Sequence, residues 1–275
     1  METQRYSGAG NTFVMVNNLD GKIINRGDTV LDLMSRKENN NFDGVIFLED
    51  SSIADFHMNY FNRDGTGNAL CGNGLRCTAR YIRDNGISDK KIILFEAVKK
   101  IYNTDFTDDG QISVGFPPPA KLKLKFKLKV HFIEWWQLLT ASYADVGSPH
   151  LIVFIDDIEK PAVKSLEEIP LDDWGRNLRM HKDLMPEGAN VNFVKVVSAQ
   201  RGEIVIRSFE RGVEAETLAC GTGALSSAII SYALRGVKTP VKVLTKSGEY
   251  LTVNFDVIEN QIRNISLSGN AVRLD

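Results

Sequence analysis

An α+β chain built from two similar halves is what the sequence predicts, and three observations predict it. Short β-type runs outnumber helical ones, a Cys-Gly-x-Gly segment occurs twice in matched surroundings, and Pro117-Pro118-Pro119 interrupts the chain. Many strands with few long helices argue α+β and not an alternating βαβ order. No sheet or helix continues through three prolines, so they mark the domain boundary.

The strands are read from β-branched and aromatic runs bounded by turn residues, at 45–48, 91–95, 111–114, 151–155, 191–194, 203–206, 241–244 and 250–253. Residues 121–130 alternate lysine with Leu122, Leu124, Phe126, Leu128 and Val130. Period-2 alternation with one lysine face predicts a solvated edge strand, and is preferred here to a membrane or nucleic-acid contact.

The repeated device is more specific. Tyr60-Phe61-Asn62-Arg63-Asp64-Gly65 precedes Cys71-Gly72-Asn73-Gly74, and Ser208-Phe209-Glu210-Arg211-Gly212 precedes Cys220-Gly221-Thr222-Gly223. Phe61 and Cys71 are 10 positions apart, Phe209 and Cys220 are 11 apart. Both segments run into helical spacing: Leu75, Ala79 and Ile82 with a stop at Gly86, then Leu225, Ala228, Ile229 and Tyr232 with a stop at Gly236. Each of these cysteines therefore opens a helix expected to be buried. Such recurrence predicts two halves of similar structure.

A helix N-terminus leaves amide N–H groups unpaired and carries partial positive charge, so it favours a thiolate. The effect is roughly 0.3–1 kcal/mol, up to about 2. At about 1.36 kcal/mol per pKa unit it could bring a thiol from about 8.5 to around 7. Burial opposes it, so a neighbouring base could be needed. Two such thiols facing one carbon could work as a thiolate and a thiol, one removing a proton while the other delivers one. The same N–H groups would hold a carboxylate and the charge that develops on it.

Other readings of one Cys-Gly-x-Gly remain: a tight turn around a buried cysteine, a redox pair, or a phosphate cradle. A redox pair would lack a Cys-x-x-Cys. Neither copy has a phosphate-loop signature. Matched context in two copies favours the paired thiols.

Bulk properties narrow the function further. With 275 residues the chain can form one large domain or two modest ones. A formal charge of −2 gives no field to recruit nucleic acid or an anionic membrane. The start, Met1-Glu2-Thr3-Gln4-Arg5, has no signal-peptide character and no run is long enough for a membrane helix, so a cytoplasmic protein is expected. Three cysteines and the scattered His57, His131, His150 and His181 form no disulfide framework and no metal-ligand spacing. No metal and no cofactor are expected.

At these residues the sequence resembles the diaminopimelate epimerases. The resemblance runs through Gly8-Ala9-Gly10-Asn11-Thr12-Phe13, Phe61-Asn62-Arg63-Asp64-Gly65, Cys71-Gly72-Asn73-Gly74-Leu75-Arg76-Cys77, Gly147-Ser148-Pro149-His150, Ala189-Asn190-Val191-Asn192-Phe193 and Glu210-Arg211-Gly212. It ends in Glu216-Thr217-Leu218-Ala219-Cys220-Gly221-Thr222-Gly223, the most specific block. It implies two similar domains, each a mostly antiparallel β-sheet or barrel wrapped on a central helix, with the active site in the cleft between them. The domains implied are 1–118 with 263–275 returning to it, and 119–262.

The activity implied is interconversion of LL- and meso-diaminopimelate without pyridoxal phosphate, in lysine and peptidoglycan precursor synthesis, by a homodimer. Cys71 and Cys220 are the implied catalytic thiols, with Glu210 at the reacting amino group and Glu210 and His150 together assisting thiol protonation. The backbone of Gly72, Asn73, Gly221 and Thr222 would bind the reacting carboxylate. Asn11, Asn62, Asn190 and Arg211 would bind the distal end, while Cys77 is expected to pack. Ser148 stands where the family usually has Asn, which leaves strict selectivity for diaminopimelate open. The alternatives are a racemase of another amino acid in the same superfamily and, from a different class, a thiol-redox or amino-acid-binding protein.

Overall fold

Alternating burial writes the first strand of the chain. In the computed structural model, which describes residues 1–67, 70–131 and 136–275, β1 (Thr3–Gly8) turns its even-numbered residues into the core. Residues 68 and 69, in the spacer before Cys71, and residues 132–135 lie outside the described residues. The chain divides into two units: residues 1–116 with 267–275, and residues 117–266.

In the first unit β1 forms a hairpin with β2 (Asn11–Asn17). Ala9 and Gly10 form its two-residue loop, both at positive φ, which the tight hairpin turn matching strand twist requires. A crossover containing α1 (Arg26–Ser35) leads to β3 (Gly44–Glu49), parallel to β2 and buried along its whole length. Next, β4 (Phe56–Asn62) pairs antiparallel with β3, and a crossover containing α2 (Gly72–Asp84) brings β5 (Ile92–Ala97) in parallel to β4. The strands β6 (Lys100–Phe106) and β7 (Ile112–Phe116) follow as a meander. Helix α2 packs on β1, β2, β3, β4, β6 and β7, and Leu75, Ala79 and Ile82 are fully buried on it, as their spacing predicts.

The second unit starts with the antiparallel pair β8 (Lys121–His131) and β9 (Trp136–Asp145). After them come β10 (Pro149–Phe154), α3 (Leu171–Arg179), β11 (Asn190–Ser198), β12 (Glu203–Glu210) and β13 (Ala215–Thr217). Then follow α4 (Gly221–Arg235), β14 (Val241–Leu244), β15 (Tyr250–Ile258) and β16 (Gln261–Gly269). The short β17 (Val272–Arg273) pairs with β1 of the first unit, to which it belongs.

The pairing repeats. The pattern of β2, β3, β4, β5 and β6 is parallel, antiparallel, parallel, antiparallel. That of β10, β11, β12, β14 and β15 is the same. The first crossover of each unit carries α1 or α3 and the second carries the central helix, α2 or α4. The fold is thus α+β with antiparallel pairings in the majority, and it also contains parallel crossovers that the strand count did not predict. Parallel neighbours need a long connection, and these helices supply it.

Two local expectations change. In β8 Leu128 and Val130 are fully buried between exposed lysines, but Leu122 and Leu124 are each 40% exposed. The register slips between Lys123 and Phe126, with Lys125 in the left-handed region at φ 47. This bulge reassigns the faces, so one lysine face exists only beyond it. On α4 Leu225, Ala228 and Ile229 are fully buried, whereas Tyr232 lies at the rim with its ring edge-on to Phe255. Among the described residues no helix is long and apolar enough to cross a membrane.

Candidate active site

Both cysteines of the repeated motif are helix N-caps. Cys71 precedes α2 with extended backbone (φ −129°, ψ 109°), and its Sγ accepts the Gly74 N–H at 3.3 Å. Cys220 precedes α4 at φ −113°, ψ 109°, and its Sγ accepts the Gly223 N–H, also at 3.3 Å. Sulfur takes the place of the oxygen that usually satisfies these end donors. The glycines have a packing reason beyond ligand approach. A Cβ on Gly74 would lie 3.0 Å from Ile46 Cδ1, and one on Gly223 would strike the Asn192 side-chain oxygen.

Around α2, Asn73 is buried (2% exposed), accepting from Arg76 Nη2 at 2.6 Å and donating to Asn11 Oδ1 at 2.6 Å. The Asn11 amide in turn donates to Asp43 at 3.3 Å. Asn62 is occupied in its own turn, its amide donating to Thr66 Oγ1 at 3.0 Å. Cys77 is fully buried and touches the position a Cβ on Gly8 would occupy, which is packing, as expected.

Around α4 the polar groups come from strands. His150 on β10 is fully buried; burial first, and the Arg211 charge second, hold its pKa down to about 3. Its tautomer follows from its neighbours. The Leu151 carbonyl can only accept, so the Asn192 group 3.3 Å away is the NH2, which also donates to His150 Nδ1 at 3.0 Å. The Asn192 oxygen then takes the Ser208 hydroxyl at 2.8 Å. The proton of the imidazole therefore sits on Nε2, which lies 2.9 Å from Thr222 Oγ1 and 3.0 Å from Ser148 Oγ. Thr222 Oγ1 is 3.7 Å from Cys220 Sγ. His150 thus reaches the thiol through a hydroxyl, as a neutral ring.

Cys220 is 5% exposed, and its thiol pKa is pushed well above the ordinary value. Burial is the largest cause and the Glu210 charge the next, against the Gly223 N–H and the Thr222 hydroxyl. Of the two opposing effects expected at this thiol, the helix end and burial, burial prevails. Desolvation of a fully enclosed sulfur outweighs one helix terminus. Glu210 itself accepts the Thr217 hydroxyl. Asn190 donates to the Pro149 carbonyl at 3.0 Å and accepts the Arg211 backbone N–H at 2.8 Å, while the exposed Arg211 guanidinium donates to the Glu187 carbonyl.

The structure therefore gathers Cys71, Gly72, Asn73 and Asn11 at one helix end, with Asn62 held in a neighbouring turn. At the other end it gathers Cys220, Gly221, Thr222, His150 and Glu210, with Asn190 and Arg211 joined by a backbone bond. Sequence reading missed Asn192, Ser208, Arg76 and Asp43. For Asn192 a signal existed: Asn190 and Asn192 are two apart in an apolar strand, hence on one face.

Solved structures with this fold include a phenazine biosynthesis protein of the PhzF family from Bacillus anthracis. It has a TM-score of 0.74 at 17% identity, covering 100% of this chain and 98% of that one. A hydroxyproline epimerase from Agrobacterium vitis has a TM-score of 0.68 at 13% identity, covering 99% and 88%. At such identities the likeness defines a fold class. The family comes from sequence: the diaminopimelate epimerase family model matches residues 4–121 and 142–273. A diaminopimelate epimerase of Aquifex aeolicus is 35% identical over 287 residues, covering 100% of this chain and 96% of that protein. One of Chlorobaculum tepidum is 35% identical over 258 residues, covering 93% of each. The chain belongs to the diaminopimelate epimerase family.

Proposed function

We propose that the protein epimerises LL-diaminopimelate to meso-diaminopimelate, with Cys71 and Cys220 as acid and base on opposite faces of one α-carbon. The observation that carries this reading is the repeated geometry of two cysteine sulfurs, each capping a buried helix in a chain of this family. The thiolate of one cysteine removes the α-proton, and the thiol of the other delivers a proton to the opposite face. Amides at Gly72, Asn73, Gly221 and Thr222 bind the α-carboxylate and stabilise the charge that moves onto it. Two thiols supply both proton transfers, so the reading needs no pyridoxal phosphate and no metal.

Burial and the Glu210 charge favour the protonated form of Cys220, which makes it the proton donor in the resting state. Glu210 accepts from the substrate amino group, and a substrate ammonium beside it would offset the charge that raises the thiol. His150 acts through Thr222. Asn11, Asn62, Asn190 and Arg211 bind the distal amino-acid end, where a guanidinium suits a second carboxylate. The same reading gives a cytoplasmic homodimer acting on a small molecule, without nucleic-acid or membrane partners. Light scattering tests the dimer.

The catalytic test is turnover of LL-diaminopimelate in D2O. The expected result is meso product carrying deuterium at the inverted α-carbon. Exchange on lysine or another monocarboxylic amino acid, with none on diaminopimelate, would replace this reading with a racemase of different specificity. Ligand binding without exchange would leave a binding protein.

A further inference from the structure

A charged side chain fully buried beneath a helix end, in hydrogen-bond contact with groups of the candidate site, needs a reason. Arg76 is such a group: it is 0% exposed, five residues after Cys71 on α2. We propose that Arg76 is a positioning residue that fixes, through Asn73, the direction in which Asn11 offers its amide N–H to the substrate's distal carboxylate. The proposal rests on the epimerase reading for the identity of that carboxylate.

A guanidinium can only donate, so the Asn73 atom 2.6 Å from Arg76 Nη2 is its oxygen. The Asn73 NH2 must then point the other way, and it donates to Asn11 at 2.6 Å. The Asn11 atom receiving that bond is consequently its oxygen, which leaves the Asn11 NH2 on the side away from Asn73. Asp43 agrees independently: its carboxylate can only accept, and it meets the Asn11 NH2 at 3.3 Å. A free asparagine presents its oxygen or its nitrogen with nearly the same shape. Here a buried cation two side chains away and the Asp43 carboxylate favour the same choice, and with it remove the repulsion a reversed amide oxygen would bring to a bound carboxylate.

Asn73→Asp is the decisive variant because it keeps the shape and gives Arg76 a better acceptor, so folding is retained. The introduced carboxylate cannot donate, so the Asn11 amide must reverse to donate inward, and its oxygen turns out. The KM for diaminopimelate should rise about tenfold or more, the worth of one hydrogen bond to a charged group, with a smaller change in kcat. A direct effect of the new charge is separated by a double-mutant cycle. In an Asn11→Ala background the Asn73→Asp increase should vanish, and the same factor with and without Asn11 would overturn the proposal.

Arg76→Met, if it folds, should raise KM in the same way, and Arg76→Lys, which still donates, should restore part of it. A second readout needs no turnover. Side-chain amide proton exchange by NMR should be slow for Asn73 and fast for Asn11 in the unmodified protein, and slow for Asn11 in Asn73→Asp. Unchanged Asn11 exchange in that variant sinks the relay, whereas failure of the unmodified protein to exchange the α-hydrogen of diaminopimelate sinks only the epimerase reading.

Discussion

The N-termini of α2 and α4 present the same sulfur in the same way and wire the residues around it differently. In both, a cysteine in extended conformation caps the helix and accepts the N–H three residues on. Two residues past the cysteine, α2 has Asn73, held by the Arg76 cation from within the helix, while α4 has Thr222, held by neutral His150 from β10. Where α2 carries buried Arg76, α4 carries buried Leu225. The backbone sets where the thiol is, and the second polar residue sets what surrounds it. On the proposed two-thiol reading, a symmetric reaction would need equivalent helix caps for the two sulfurs and not the same polar surroundings.

The largest expected effect tests that equivalence. Cys71→Ser and Cys220→Ser should each lower kcat/KM for epimerisation by about 10²–10⁴, the range for losing a positioned acid or base. Turnover by either variant at the unmodified rate breaks the comparison, because one unit would then suffice. Next comes the distal end, which on the proposed reading is bound by the Arg211 guanidinium and the amides of Asn11, Asn62 and Asn190. Arg211 is exposed, so its loss should resemble that of a charge-assisted hydrogen bond, about tenfold to hundredfold in kcat/KM. Arg211→Ala should retain slow α-hydrogen exchange on lysine.

Smaller effects fall on stability. Gly223→Ala places a methyl against the Asn192 oxygen, which is pinned by Ser208, whereas Gly74→Ala meets a terminal methyl of Ile46 that can shift. Overpacking costs about 1–3 kcal/mol, so the Tm of Gly223→Ala should fall and that of Gly74→Ala should fall less. Equal losses would show that the two glycines do the same job.

The smallest effect is in acid and singles out the first unit. Burial pushes Glu49 up, but hydrogen bonds from His57, Arg26, Asn18 and Asn59 win and hold its pKa down to about 2. A depressed carboxylate stabilises the fold above its unfolded pKa of about 4.3, and that contribution is lost as pH falls towards 2. Glu49→Gln should therefore lower Tm at pH 7 and flatten its decline between about pH 4 and 2.

Much of this was legible in residue order. Period and boundary residues placed β3, β5, β7, β12 and β14 and both central helices, and Gly236 ends α4 in the left-handed conformation as a stop should (φ 63). Helix α1 was missed although Val30, Leu33 and Met34 have helical spacing, because a short amphipathic segment stands out little from a loop. The β8 bulge depends on pairing with β9, and no pattern within one strand reveals it. Both cysteines were legible as helix caps because the cap is a local motif. The weight of burial at Cys220 was not, because that burial belongs to everything packed around it. Nothing in the sequence around Arg76 marks it as enclosed, because its burial comes from the strands packed on α2.

The caps carry a last consequence. Because each sulfur is also the acceptor that starts its helix, alkylating Cys71 or Cys220 does two things at once. It removes a sulfur that can carry a proton, and it leaves the Gly74 or Gly223 N–H with a bulkier thioether, a weaker acceptor. A thiol-directed inhibitor of this protein would therefore loosen the first turn of the helix it attacks, and its selectivity would depend on how well its own atoms reinforce the weakened cap.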